Sequence, residues 1–321
     1  MTRAAEGASP EAEDLKPFLA RIGEAADRRE VGIWLVGGAL RDLLLGRSTK
    51  DVDLAVETGA ANALELAARL AALPGWSLRA RHERFGTATL EAPGGVRVDL
   101  AATRREEYAA PASLPVVTGT ATIDEDLGRR DFTIHAMARR IARRGLVGAV
   151  LDPFGGKRDL AGKTLRLLHA RSLVDDPTRA YRAVKYAVRL GFKWDREFGK
   201  ALKAARSAKA FQSLSGDRMR RGIEEIFLEG YWDRAVGLAV ELELFGDVLP
   251  GWAAPRSPSK KKTTDADVSA CLDAVGSVDA RPEREEIWRR LLEPLQSPER
   301  AAVAARLNFS RALRRAAGVP R

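Results

Sequence analysis

The sequence is poor in the residues that build disulfides and zinc sites. It has one cysteine, Cys271, among 321 residues. A single thiol excludes an intrachain disulfide and any cysteine-cluster metal site. The three histidines, His82, His135 and His169, are scattered, and none has a partner at zinc-ligand spacing. No apolar run approaches ~18 residues, so nothing reads as a membrane span. The opening stretch MTRAAEGASPEAEDLK lacks the apolar core of an export signal. A cytoplasmic protein with no membrane contact is the expectation. No internal repeat is visible.

Charge is what the chain has in quantity. Charged residues make up 31% and apolar residues 45%, the proportions of an ordinary globular protein. The formal net charge of +10 favours a polyanionic partner, nucleic acid first among them. The length allows two or three domains with a sizeable core.

The most informative stretch is VGIWLVGGALRDLLLGRSTKDVDLAV, from Val31 to Val56. Gly32 to Val36 reads as a buried strand. Gly37 and Gly38 allow a tight turn and put no Cβ between backbone and ligand. Ala39 to Leu45 then opens a helix whose free N–H groups and dipole suit a phosphate, with Arg41 in its first turn. Asp51 and Asp53 follow on the next strand. Two residues apart, their side chains share one face, while Val52 and Leu54 point into a core. The paired carboxylates repel each other until a divalent cation sits between them.

Around this unit, Ala12 to Arg29 has helical periodicity, and residues 1 to 12 read as disordered. ANALELAARLAAL is a helix ended by Pro74-Gly75. Trp76 to Arg81, Thr87 to Glu91 and Val96 to Ala101 read as strands, the last two joined as a hairpin and the last carrying Asp99. Thr103 to Asp124 is polar, holds Pro111 and Pro115, and has no periodicity, so a long loop is expected. From Arg196 the pattern is helical over 196–206, 216–229, 231–245, 265–276, 283–294 and 297–318, with a Pro/Ser/Lys linker at 254–264.

G-G-x-x-R-D followed by D-x-D resembles the signature of the polymerase β-like nucleotidyltransferases. Within them, the chain resembles the class II tRNA nucleotidyltransferase (CCA-adding) and bacterial poly(A) polymerase family. RRDFTIHA, from Arg129, is similar to the family's R-R-D-F-T-x-N-A motif, with His135 where asparagine is usual. LDPFGGKRDL is similar to its D-x-x-G-G-x-x-D-L hinge. VDDPTRAYRAVK is similar to its E-D-x-x-R motif, with Asp175 for the first glutamate and the pair Asp176 and Arg179 intact.

The resemblance covers roughly residues 30 to 235. It implies an α+β fold: a nucleotidyltransferase head at 1–165 with a mixed, mainly antiparallel sheet, a helical neck at 166–230, and a helical body and tail at 231–321. It implies Asp51 and Asp53 as catalytic and Mg²⁺-binding residues. Gly37, Gly38, Arg41 and Arg130 then lie on the triphosphate, with Arg129 adding charge, and Asp131 on the ribose. Asp176 and Arg179 read the base, supported by Arg182 and Lys185. Asp99 is expected in a supporting place.

A carboxylate and a guanidinium can serve cytosine and adenine alike. Both bases offer an amino donor beside a ring-nitrogen acceptor, whereas uracil and guanine present the reverse. The implied function is template-independent addition of C, C and A to tRNA from CTP and ATP, with the basic helical half on the acceptor and T arms. The same motifs fit a CC-adding or A-adding specialist or a poly(A) polymerase. Different classes, a small-molecule nucleotidyltransferase or a non-catalytic RNA-binding relative, share only part of the pattern.

Overall fold

The computed structural model describes residues 15–26, 32–49, 51–57, 59–119, 121–227, 232–246, 283–293 and 295–319. The expectations for residues 1–12, the 254–264 linker and the 265–276 helix lie outside these. The chain divides into two compact units. The first is Met1–Glu107 with Pro115–Leu168, and the second is Tyr108–Leu114 with His169–Arg321.

The first unit is built on a seven-stranded sheet. Helix α1 (Leu15–Ala26) buries Leu15, Leu19 and Ile22, residues at helical spacing. Strand β1 (Ile33–Val36) leads into α2 (Gly37–Leu44), then β2 (Asp51–Val56) and α3 (Ala60–Ala71). Strands β3 (Ser77–His82), β4 (Thr87–Ala92) and β5 (Val96–Ala102) follow. Next come β6 (Arg104–Glu107), β7 (Val116–Gly119) and α4 (Ile123–Gly128), then β8 (Ala138–Ala142), β9 (Gly145–Leu151) and α5 (Gly156–Ala161).

The sheet order is β3-β4-β5-β2-β1-β8-β9. Among the described residues only β2 and β5 pair in parallel, so the sheet is mixed and mainly antiparallel. The two innermost strands that carry the site are β1 and β2, with Val36 opposite Asp53. In β2, Val52, Leu54, Ala55 and Val56 are buried, Asp53 is half-buried and Asp51 is exposed. The alternation read from the sequence therefore holds at the strand's start and gives way to full burial at its end.

Two elements differ from the sequence pattern. Helix α2 starts at Gly37, two residues before the Ala39 that the apolar spacing predicts. Gly37 adopts φ +64°, which makes the whole turn in one residue and lets the helix begin at once. The stretch expected as a loop contains the β6–β7 ribbon, with Arg104 opposite Gly119 and Glu107 opposite Val116. All of β7 is exposed, so neither face needed an apolar row and the sequence shows no alternation there. Helix α4 is opened by a capping box between Thr122 and Glu125.

The second unit is helical. It comprises α6 (Ser172–Asp175), α7 (Thr178–Leu190), α8 (Arg196–Ser207), α9 (Ala210–Ser213), α10 (Gly216–Phe227) and α11 (Trp232–Glu241). Helices α12 (Arg284–Leu292), α13 (Ser297–Arg306) and α14 (Arg311–Ala316) follow. The single helix expected over 297–318 is thus two, broken where Asn308 turns left-handed (φ +52°) and Ser310 caps α14. Tyr181, Phe198, Phe211, Phe227, Phe245 and Trp288 are fully buried. Glu224 of α10 accepts hydrogen bonds from Arg220, Arg284 and Trp288 and so ties α10 to α12. Segment Tyr108–Leu114 packs within this unit: Ala112 N–H donates to the Val174 carbonyl at 3.0 Å, and Arg218 donates to the Ala112 carbonyl at 2.7 Å.

Candidate active site

The parallel register of β2 and β5 sets Asp51 beside Arg97 and Asp53 beside Asp99. Asp99 accepts hydrogen bonds from Thr89 at 2.5 Å and from Arg97 at 2.9 Å. Its carboxylate is thus occupied by its own sheet, in keeping with a supporting place. Asp53 accepts from the Gly38 backbone N–H. Burial pushes the Asp53 carboxyl above its ordinary range; Arg130 opposes this, and the negative charges of Asp99 and Asp51 add to it.

The glycine pair is pressed against these groups. A Cβ on Gly37 would stand 2.9 Å from Asp53 Oδ2 and 3.1 Å from Arg130 Nη1, closer than any real side chain tolerates for the first. At Gly38 the nearest atoms would be Arg41 Nη2 at 3.6 Å and Asp53 Oδ2 at 3.8 Å, ordinary contacts. Gly37 is therefore required by the fold, while Gly38 leaves room.

Arg130 reaches this corner from α4's end. Its Nη2 donates to Asp126 at 2.9 Å, and Arg129 donates to the other Asp126 oxygen at 2.8 Å and to Glu106 at 3.1 Å. Asp126 is 1% exposed. Burial alone would raise its pKa, but Arg130 and Arg129 outweigh it and hold the carboxyl below the usual carboxylate range. The charge that the sequence offers to a triphosphate at Arg129 is thus engaged with Asp126 and Glu106. Asp126 itself carries no local signal beyond its place in a helix start.

Arg41, expected in a helix's first turn against phosphate, is buried. Its Nε and Nη2 donate to Asp42 at 2.8 and 2.7 Å, and its Nη1 lies 2.6 Å from His135 Nε2. His135 Nδ1 lies 2.8 Å from Asp131 Oδ1, which also accepts the Phe132 N–H at 2.8 Å. The structure so brings together Gly37, Gly38, Arg41, Asp51, Asp53, Arg130 and Asp131 within the first unit.

The expected base-reading pair belongs to the second unit. Asp176 Oδ1 accepts from Thr178 N–H at 3.0 Å, from the Thr178 hydroxyl at 2.6 Å and from Arg218 at 2.8 Å. It thereby holds Thr178, the first residue of α7, from across Pro177. Arg179 is buried and bonds to Ser172 through Nη1. Arg182 lies over the Tyr186 ring, and Lys185 pairs with Glu225 at 3.2 Å. Among the basic residues of this helical unit, Arg206, Arg218 and Arg220 are engaged inside it. Arg218 as the partner of Asp176 was not readable, because it lies 42 positions away on another helix.

The donor set of β2 suits a hard divalent cation. Among the described residues no group of three or more His, Cys, Asp or Glu is arranged to hold a metal. Two carboxylates are what Mg²⁺ commonly takes from a protein when substrate phosphates complete its shell. A carboxyl raised by burial, with two like charges adding to it, is also a group that a cation would relieve. Among the described residues no helix is long and apolar enough to cross a membrane.

The chain is similar in sequence and fold to known proteins. Residues 33–166 match the family model described as the poly A polymerase head domain. An A-adding tRNA nucleotidyltransferase of Geobacter sulfurreducens is 39% identical over 202 residues, covering 63% of this chain and 22% of that protein. The chain thus spans well under half the length of that curated relative. A solved CCA-adding enzyme in an apo form superposes with a TM-score of 0.74 at 31% identity, over 96% of this chain and 70% of that one. A Thermotoga maritima CCA-adding enzyme complexed with tRNA superposes at 0.70 and 30% identity, over 96% and 69%. With its glycine pair, D-x-D strand and mixed sheet, this chain belongs to the tRNA nucleotidyltransferase and poly(A) polymerase family.

Proposed function

We propose that the protein adds C, C and A to the 3′ end of tRNA from CTP and ATP, without a nucleic-acid template. The observation that carries this is the corner formed by Asp53, Asp51, Gly37, Gly38 and Arg130, where acidic oxygens, bare backbone and one guanidinium meet. Asp51 and Asp53 would hold Mg²⁺, which supplies charge to the triphosphate and activates the primer's 3′-hydroxyl.

The chain's own residues do the rest. The α2 N-terminus presents backbone N–H groups and the positive end of its dipole to phosphate, with Gly38 open to close approach. Arg130 neutralises phosphate charge while Asp126 fixes its direction. Arg41 contributes positive charge from beneath Gly38. Asp131 accepts from the ribose hydroxyls.

Asp176 accepts from the exocyclic amino group of cytosine or adenine, and Arg179 donates to the adjacent ring nitrogen. Arg182 and Lys185 support that helix. Uracil and guanine leave both groups mismatched, at ~1–3 kcal/mol each. The basic helical unit binds tRNA by backbone and shape, as the relative complexed with tRNA supports. A cytoplasmic location follows from that substrate.

A second reading, an A-adding specialist, is favoured by the Geobacter relative. The test is incorporation onto tRNAs ending at the discriminator base, the first C or the second C, with each of the four nucleotides singly. The proposal expects CMP, CMP and then AMP, with neither UMP nor GMP. AMP alone, onto tRNA ending in CC, would replace it with the A-adding reading. No incorporation and no tRNA binding at low salt would favour a small-molecule nucleotidyltransferase.

A further inference from the structure

We infer that His135 is a positioning and specificity residue of the nucleotide site. Its neutral imidazole, protonated on Nδ1, locks Arg41 and Asp131 into one rigid unit. This rests on the nucleotidyl-transfer reading, which assigns Arg41 to the triphosphate and Asp131 to the ribose.

The tautomer follows from the partners. A guanidinium has donors only, so at 2.6 Å from Arg41 Nη1 the His135 Nε2 must be the acceptor. The remaining proton is then on Nδ1, which donates to Asp131 Oδ1 at 2.8 Å. A second ring proton would set an N–H against the guanidinium, so the geometry holds the ring neutral. Arg41, His135 and Asp131 are 3%, 4% and 7% exposed, which leaves little room for water to substitute for either bond.

Each end of the chain of bonds is fixed independently. Asp42 clamps the other edge of the Arg41 guanidinium through Nε and Nη2. The Phe132 N–H donates to the same Asp131 oxygen. The Phe132 ring meets the imidazole edge-on, with centroids 6.0 Å apart and planes at 74°. The imidazole therefore spans 94 positions of sequence between α2 and the segment after α4. Since Arg41 Nη2 would lie 3.6 Å from a Gly38 Cβ, the link places a fixed positive charge directly behind the bare backbone.

Two amides separate the two bonds. An asparagine carries its amide only as far as Nδ1, so His135→Asn keeps a donor for Asp131 and loses the acceptor for Arg41. A glutamine carries its amide to Nε2, so His135→Gln keeps the Arg41 acceptor and releases Asp131.

In nucleotide addition to a truncated tRNA, His135→Asn is expected to raise the KM for ATP about two- to tenfold, because Asp42 still holds the other edge of Arg41, while preserving preference for ATP over 2′-deoxy-ATP. His135→Gln is expected to change the KM less and to lose that preference. Long-range ¹H–¹⁵N NMR of the three histidines, with His135 assigned by its loss in His135→Asn, is expected to show a neutral Nδ1–H ring at neutral pH.

An Nε2–H ring or an imidazolium would overturn the inference, whatever the activity. So would two variants that behave alike, or that lower only the melting temperature with KM and sugar preference intact. Failure of the wild type to add any nucleotide would defeat the transferase reading and with it the nucleotide role of His135. The NMR result would still decide the bonded link.

Discussion

Replacing Asp53 with asparagine separates what that carboxylate costs from what it does. The group is half-buried beside Asp51 and Asp99, and its pKa is raised by burial first, against the opposing pull of Arg130. A carboxyl raised in the folded state favours folding at pH below its ordinary value and loses that contribution as pH rises through the raised value. At neutral pH the ionised group is therefore a burden on the metal-free protein. Asparagine keeps an oxygen for the Gly38 N–H and removes the charge, so Asp53→Asn is expected to melt higher than wild type at neutral pH. The two are expected to converge below pH ~4.

Magnesium reverses the order. At ten times its dissociation constant, a bound ion stabilises wild type by about 1.4 kcal/mol. That is a rise of roughly 3–6 °C for a unit of this size. Calorimetry of both proteins across pH, with and without Mg²⁺, measures each part. Equal stabilisation of both by Mg²⁺, or a metal-free variant that melts lower at neutral pH, would refute the reasoning.

Four further substitutions separate stability from nucleotide handling. Asp126→Asn leaves Arg129 and Arg130 facing a neutral side chain and is expected to cost about 3–5 kcal/mol by urea unfolding. Because the Asp126 carboxyl lies below its ordinary range, its share of stability is present at neutral pH and is lost as pH falls through that depressed value, a loss the variant should lack. Gly37→Ala forces a side chain into left-handed backbone against Asp53 and is expected to lose both stability, by about 1–2 kcal/mol, and activity. Gly38→Ala is expected to keep its melting temperature and lose nucleotide affinity, which comparison of melting with KM would show. Asp176→Ala removes the acceptor shared by Thr178 and Arg218 and is expected to relax discrimination against UTP and GTP in a competition assay, while Mg²⁺ stabilisation stays unchanged.

The geometry was readable where it is local. Two glycines before a helix and two aspartates on alternate positions of a strand carry their geometry within a few residues, and the structure keeps them together. The α2 onset escaped because only the left-handed turn at Gly37 reveals that no loop intervenes. The β6–β7 ribbon escaped because its exposure removes the apolar alternation that marks a strand. Strand β8 escaped for a related reason: ARRIA puts arginines on two of its five positions. Within the site, the engagement of Arg41 by Asp42 and His135, and of Arg129 by Asp126 and Glu106, depends on contacts that spacing cannot show. Arg41 and Arg129 read as phosphate ligands in sequence because an arginine's type is visible there and its partner is not.

The central claim is that Asp51 and Asp53 run nucleotide transfer while other surfaces hold the RNA. Replacing both with alanine and measuring tRNA binding and nucleotide addition on the same preparation tests it most directly. The account predicts tRNA affinity near wild type with addition reduced to background. Addition at the wild-type rate would contradict it.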